Sequence, residues 1–209
     1  MDVSPIQSGA RATIDRISAK VLSNNVTAIL HIGALWNAFM SQIEATASRI
    51  PYMVEIGNHE CDHVTGGDKD PSEEQGDGGF QPICFDIGPV HLVYYSTEHN
   101  FHRLSPQYVW LEQDLPSVDR IRTLWLIVAS HRPMYSSLVG IDLSKVMLQL
   151  YIEALLYNYH VDLNLFAHIH SYERTCPTYQ YTCIDDGITQ VLIDIGGHDL
   201  TYGSYTGTQ

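Results

Sequence analysis

Basic residues are what this sequence most conspicuously lacks: 11 Lys and Arg stand against 24 Asp and Glu in 209 residues, a formal net charge of −13. Such a surface repels a polyphosphate backbone unless basic residues cluster locally, and no such cluster is visible, so nucleic acid is excluded as the expected partner. No apolar run approaches the roughly 20 residues that span a bilayer, so neither a membrane span nor a membrane partner is expected. The opening Met1-Asp2-Val3-Ser4-Pro5 has no basic stretch followed by an apolar one, so nothing in it directs secretion. Cysteine is sparse too. Cys61, Cys84, Cys176 and Cys183 are too spread for a paired-cysteine zinc module, but Cys176 and Cys183 flank a short turn-like stretch that a disulfide could close. Asn25-Val26-Thr27 reads as a glycosylation sequon, which matters only if the chain enters the secretory pathway.

What is present is ordinary for a globular protein: 44% apolar and 17% charged residues, in a length that buries a core without splitting. One folded domain over residues 1–209 is expected. Short apolar, β-branched runs at Val26 to Ile32, Tyr52 to Ile56, Val90 to Tyr95, Leu124 to Val128, Val161 to Phe166 and Gln190 to Ile195 predict buried strands. The clearest helix runs from Leu143 to Tyr157 behind a capping Asp142, with Leu143, Val146, Met147, Leu150, Tyr151, Ala154 and Leu155 predicted to form its buried face. Further helical patterns are Ile14, Ile17, Val21, then Leu35, Phe39, Ile43, Ala47, and Pro106 to Leu115. Strands alternating with helices imply an α/β layered fold. Between Cys61 and Pro82 the chain is nearly devoid of apolar residues and rich in Gly, Asp, Glu and Lys, the composition of a long exposed loop.

In α/β sheets ligands gather at the carboxyl ends of strands, and three such places carry polar clusters. Gly57-Asn58-His59-Glu60 follows the strand at Tyr52. His131 closes the strand ending Leu126-Ile127-Val128-Ala129-Ser130. Ala167-His168-Ile169-His170 closes the strand at Val161, and histidines at i and i+2 of an extended segment point the same way. Neutral imidazoles with an amide oxygen suit borderline divalent ions such as zinc, manganese or iron, usually with carboxylates completing the shell. The bland alternative is that some of the 11 histidines follow strands by accident. Three clusters in succession favour a shared site, while His31, His91 and His160, in or beside strands, and His63, His99, His102 and His198, in polar stretches, are read as structural.

These motifs resemble the purple acid phosphatases, a branch of the metallophosphoesterases marked in order by Asp-x-Gly, Gly-Asp-x-x-Tyr, Gly-Asn-His-Glu/Asp, Val-x-x-His and Gly-His-x-His. The last three stand here as Gly57-Asn58-His59-Glu60, Val128-Ala129-Ser130-His131 and Ala167-His168-Ile169-His170, with alanine for the motif's first glycine. Their surroundings are similar as well, among them Ser96-Thr97-Glu98-His99, His131-Arg132-Pro133-Met134-Tyr135 and Ser171-Tyr172-Glu173-Arg174. The resemblance implies a β-sandwich flanked by helices. It assigns Asn58, His131 and His168 to a divalent metal, His170 to a ferric site, and His59 to the phosphate, protonating the leaving oxygen. Arg132 is either a phosphate contact or a surface salt-bridge partner. It further implies a small phosphate ester or nucleotide substrate, a hydroxide nucleophile generated between two metals, and a secreted, extracellular or vacuolar setting.

The departures from the pattern carry their own expectation. His31-Ile32-Gly33 runs into Ala34-Leu35-Trp36 where the family has a metal-bridging aspartate and an iron-bound tyrosine, Asp-x-Gly has no match, and the segment Thr65 to Gln81 looks altered. Two cations a few ångströms apart repel strongly, and the shared carboxylate offsets that repulsion. An incomplete domain of impaired turnover is therefore expected, holding a single zinc-like ion. The competing readings are a non-catalytic metal- or phosphate-binding remnant, from a pseudo-phosphatase or an incomplete gene product, and a metal-free structural domain.

Overall fold

The computed structural model describes residues 8–32, 43–58, 82–140, 142–196 and 200–206. The exposed loop expected between Cys61 and Pro82 lies outside them except for Pro82, as do Leu35, Phe39 and the Ala34-Leu35-Trp36 departure.

The chain opens with helix α1, Ser8–Leu22, in which Ile14 and Ile17 are half-buried and Val21 is buried, the face its spacing predicts. Strands β1, Ile29–Ile32, and β2, Tyr52–Glu55, pair in parallel as a small sheet, and residues 43–47 between them are helical. The main sheet has seven strands in the order β3-β4-β5-β6-β9-β7-β8. They are β3 Ile83–Ile87, β4 Val90–Tyr94, β5 Trp125–Ala129, β6 Leu163–Phe166, β7 Tyr172–Tyr179, β8 Thr182–Cys183 and β9 Ile188–Ile193. Strands β4, β5, β6 and β9 are mutually parallel, while β3 at one edge and β7 with β8 at the other run antiparallel to their neighbours.

The parallel block reads as near-continuous apolar sequence because it is covered on both faces. Val93, Leu126, Val128, Ala129 and Phe166 are all fully buried. Helix α2, Pro106–Asp114, starts where Ser105 accepts from the Tyr108 N–H, with proline at its first position. Asp142 caps helix α3, Leu143–Leu148, accepting from the Ser144 N–H at 2.9 Å, as its position predicts. A π-helical stretch, Gln149–Glu153, then leads into α4, Ala154–Asn158.

That π-helical stretch changes which face is buried. Leu143, Val146 and Leu150, expected in the core, are exposed, whereas Leu155 is buried as expected, Met147 and Tyr151 pack partly buried against the core, and Leu148, Ile152 and Leu156 join it. A wider turn breaks the 3.6-residue phase on which the spacing argument rests. It also turns Glu153 inward, where its carboxylate accepts from the Tyr135 hydroxyl and, at 2.8 Å, from the Gln180 N–H. Cys176 and Cys183 form a disulfide across the β7–β8 hairpin. Gly187 is required by the close approach of β7, since a Cβ there would meet the Thr178 nitrogen at 2.4 Å. No helix among the described residues is long and apolar enough to cross a membrane.

Candidate metal centre

Because β4, β5, β6 and β9 run in parallel, the segments that follow them emerge on one rim of the sheet. Ser96 to Glu98 follow β4, His131 and Arg132 follow β5, His168 to His170 follow β6, and Asp194 follows β9. Strand β2 of the small sheet delivers Asn58 to the same rim. The Asn58 Oδ1 lies 2.8 Å from His131 Nε2 and 3.1 Å from His168 Nδ1, and the two ring nitrogens are 3.2 Å apart. Three of the residues singled out from the sequence are thus brought together.

His168 occupies the left-handed region, φ 70°, unusual for a non-glycine residue and a form of strain that clusters at functional sites. The turn is held by Ala167 donating to the His131 carbonyl at 2.9 Å and by Ile169 donating to that of Ala167 at 2.9 Å. The extended geometry expected of His168-Ile169-His170 therefore does not hold. His170 faces Asp194 at 3.9 Å, and its backbone exchanges hydrogen bonds with Thr201, donating to Oγ1 at 2.9 Å and accepting from the Thr201 N–H at 3.0 Å. His59, expected as the acid, lies outside the described residues.

Arg132 stands at the rim with its guanidinium bonded to both Glu98 oxygens, at 2.7 and 2.9 Å, and its backbone N–H bonded to the Thr97 hydroxyl at 3.0 Å. Of the two roles open for Arg132, this is the geometry of the salt bridge. Burial pushes the His168 imidazole below its ordinary value, with Arg132 and His170 adding to the fall and Glu98 and Asp142 opposing it. A neutral imidazole is the form that offers a lone pair. Behind the rim, Glu55 at the end of β2 is buried. Its carboxyl is raised well above the carboxylate range, chiefly by burial, with Glu98 adding to the rise and the His131 backbone opposing it.

The donor set fits a divalent cation on its own geometry. Bonds of about 2.0–2.1 Å in a tetrahedral shell space neighbouring ligand atoms about 3.3 Å apart. The amide oxygen and two ring nitrogens already stand at 2.8, 3.1 and 3.2 Å. Asn58, His131 and His168 are thus the residues that would hold the ion.

Sequence reasoning passed over Glu98 as a clamp for Arg132, and Asp194 as the carboxylate facing His170. Asp194 carried the same signal as the histidines, a polar residue directly after a strand of the parallel block. Glu98 carried less, because it follows β4 by several residues and its role depends on the packing of the β5 segment.

The pattern of the calcineurin-like phosphoesterases matches residues 9–172. Acid phosphatase type 7 of Homo sapiens is 37% identical over 183 residues, covering 74% of this chain and 42% of that protein. A relative named probable inactive purple acid phosphatase 27, from Arabidopsis thaliana, is 33% identical over 210 residues, covering 86% of this chain and 34% of that protein. The solved structure of purple acid phosphatase PPD1 from yellow lupin (Lupinus luteus) seeds superposes with a TM-score of 0.82 at 27% identity, covering 99% of this chain and 42% of that one. The chain thus spans about two fifths of the length of such relatives. With the strand-end cluster of Asn58, His131 and His168, the seven-stranded sheet and the family pattern in agreement, the chain belongs to the calcineurin-like phosphoesterase family, with purple acid phosphatases as its relatives.

Proposed function

We propose that this chain is a metal-dependent phosphoesterase domain acting on small phosphate esters or nucleotides, with a single divalent ion, zinc, manganese or iron, held by Asn58, His131 and His168. The convergence of those three donor atoms within 3.2 Å of one another carries the reading. A bound cation at this point supplies a polarised phosphoryl oxygen and a water of lowered pKa. The chain's own groups do the rest. Arg132, held in place by Glu98, keeps a positive charge at the rim where a phosphate would sit. His59 follows Asn58 directly in the chain and is assigned the proton for the leaving oxygen, a role that requires the charged imidazole and so favours acid. His170, facing Asp194, belongs to the position of the family's ferric ion. Without the bridging aspartate and the tyrosine, a second ion lacks the anion that would offset cation repulsion, and turnover is slow. A secreted or vacuolar setting is proposed from the same kinship, and glycosylation at the exposed Asn25 would accompany it.

A second reading is favoured by Ala34-Leu35-Trp36, which stands where the family has its bridging aspartate and iron-bound tyrosine: a phosphate- or metal-binding domain without turnover, as the name of the Arabidopsis relative says of that protein. One experiment separates the two. The purified chain is dialysed, its metal content measured, and aryl phosphate hydrolysis followed from acid to neutral pH with added iron, zinc or manganese, beside the His59→Ala and His131→Ala variants. Metal-dependent turnover that disappears in both variants is expected. Metal retained by the rim with no turnover at any pH would establish the non-catalytic reading, and no metal retained at all would overturn the first reading and leave the second only its phosphate-binding form.

A further inference from the structure

Far from the rim, the β3–β4 edge of the main sheet carries a second set of ligand-type side chains. Cys84 and Asp86 alternate onto one face of β3, and Asp86 pairs directly across from His91 on β4. Asp114, the last residue of α2, packs onto this face. The Cys84 Sγ, a ring nitrogen of His91 and a carboxylate oxygen of Asp114 lie within 4.8 Å of one another. His91 and Asp114 are nearly buried, with side chains 11% and 10% exposed. His91 is near the start of β4, paired with Leu126, whereas the rim lies beyond Tyr94 at the strand's other end. At about 3.3 Å per residue the two places are roughly 13 Å apart along the strand.

We propose that Cys84, His91 and Asp114 form a binding site for one further divalent cation of the zinc class, tying the edge hairpin to the end of α2.

Three observations point the same way. Asp86 bonds His91 Nδ1 at 2.6 Å, which puts a proton on that nitrogen and leaves Nε2 facing Asp114 Oδ2 at 3.3 Å. A carboxylate behind a histidine is the arrangement that orients and strengthens a metal-binding imidazole. In that tautomer Nε2 and Oδ2 are two lone-pair atoms turned towards each other, a contact that needs a cation or a second proton between them. Next, Asp114 sits at the C-terminal end of a helix, where the backbone dipole is negative, and the last turn holds no basic residue. Finally, thiolate, imidazole and carboxylate together are a zinc-type donor set. A tetrahedral shell would space these atoms about 3.3–3.6 Å apart, so closing from at most 4.8 Å requires only side-chain adjustment. Water would take the fourth position.

Burial, followed by the hydrogen bond and charge of Asp114 and the charge of Asp86, pushes the Cys84 thiol up to about 12. The charges of Asp114 and Asp86, which add to that rise, also favour a cation here. On binding, the thiol proton passes to solvent as sulfur bonds to the ion, and affinity rises with pH accordingly.

Cobalt(II) distinguishes this site from the rim, because only a thiolate ligand gives a sulfur-to-cobalt charge-transfer band. The reduced apo chain is titrated with cobalt(II) and then with zinc, beside Cys84→Ser, Cys61→Ser and His131→Ala. The band is expected in the unmodified chain, in Cys61→Ser and in His131→Ala, and absent in Cys84→Ser. In addition, zinc is expected to slow alkylation of Cys84 by at least about tenfold, a readout that needs no variant to fold. A chain showing neither band nor protection would overturn the site. So would a band that survives Cys84→Ser or vanishes in Cys61→Ser.

Discussion

The rim and the outer edge of the same sheet gather ligand-type side chains by different routes. At the rim, neutral donors from β2, β5 and β6 converge because parallel strands all deliver their following residues to one end. At the edge, an antiparallel hairpin and the end of a helix bring a thiol and carboxylates around one imidazole. Neutral donors hold a cation without cancelling its charge, leaving it able to polarise a phosphate. An anionic set neutralises its ion, which suits a staple better than a Lewis acid. The difference teaches that the two places, although both rich in metal-binding chemistry, answer to different tests.

The comparison breaks most readily at Asn58. Asn58→Ala removes the atom that both imidazoles face, and hydrolysis is expected to fall by at least about 100-fold, beyond the loss typical of removing a supporting contact. Steady-state assay with saturating metal measures this, while the cobalt charge-transfer band at Cys84 is expected to stay. Loss of both would mean that rim and edge are one cooperative unit.

The next effect is on stability, at the opposite edge, where the cysteine chemistry is covalent. Replacing both Cys176 and Cys183 by serine opens a loop of sequence separation 7. Constraint of the unfolded chain by so short a loop contributes about 2.5 kcal/mol. For a chain of this size the melting temperature should fall by about 5–10 °C, measurable by calorimetry. An unchanged melting temperature would show that β8 adds nothing to the sheet, and that of the two edges only the β3–β4 one requires a staple.

Much of this was legible in the chain, and the reasons divide along the same line. Asn58, His131 and His168 could be read because each follows a buried strand whose apolar run is unmistakable, so position in sequence translated into position on the rim. Tyr172–Tyr179 was not read as a strand, since Glu173, Arg174 and Thr175 interrupt any apolar alternation and its pairing with β9 passes through a register shift near Pro177. The run Gln190 to Ile195 lies two residues late on strand β9, Ile188–Ile193. The sequence reads His91 as structural because nothing local announces Asp114, which lies 23 residues away and meets it only when α2 folds over the hairpin. The burial of Glu153 likewise depends on a wider helical turn that no spacing rule anticipates.

The smallest effect sharpens the account of the rim's neutrality. Glu55, behind the ligand atoms, is 1% exposed. Burial holds its folded-state pKa well above the ordinary value. In the metal-free protein the folded chain therefore keeps a proton that the unfolded chain loses near pH 4.3, roughly the free glutamic acid value. Stability from this group is fully present below that pH. It is lost as pH rises towards the folded pKa, by at most about 1.4 kcal/mol per pH unit. Glu55→Gln keeps the shape and stays uncharged, so its stability is expected to decline less steeply with rising pH than that of the unmodified chain. Urea unfolding at mildly acid and at neutral pH measures both slopes. Parallel slopes would mean that Glu55 ionises normally, and that a negative charge stands permanently behind Asn58 and His131.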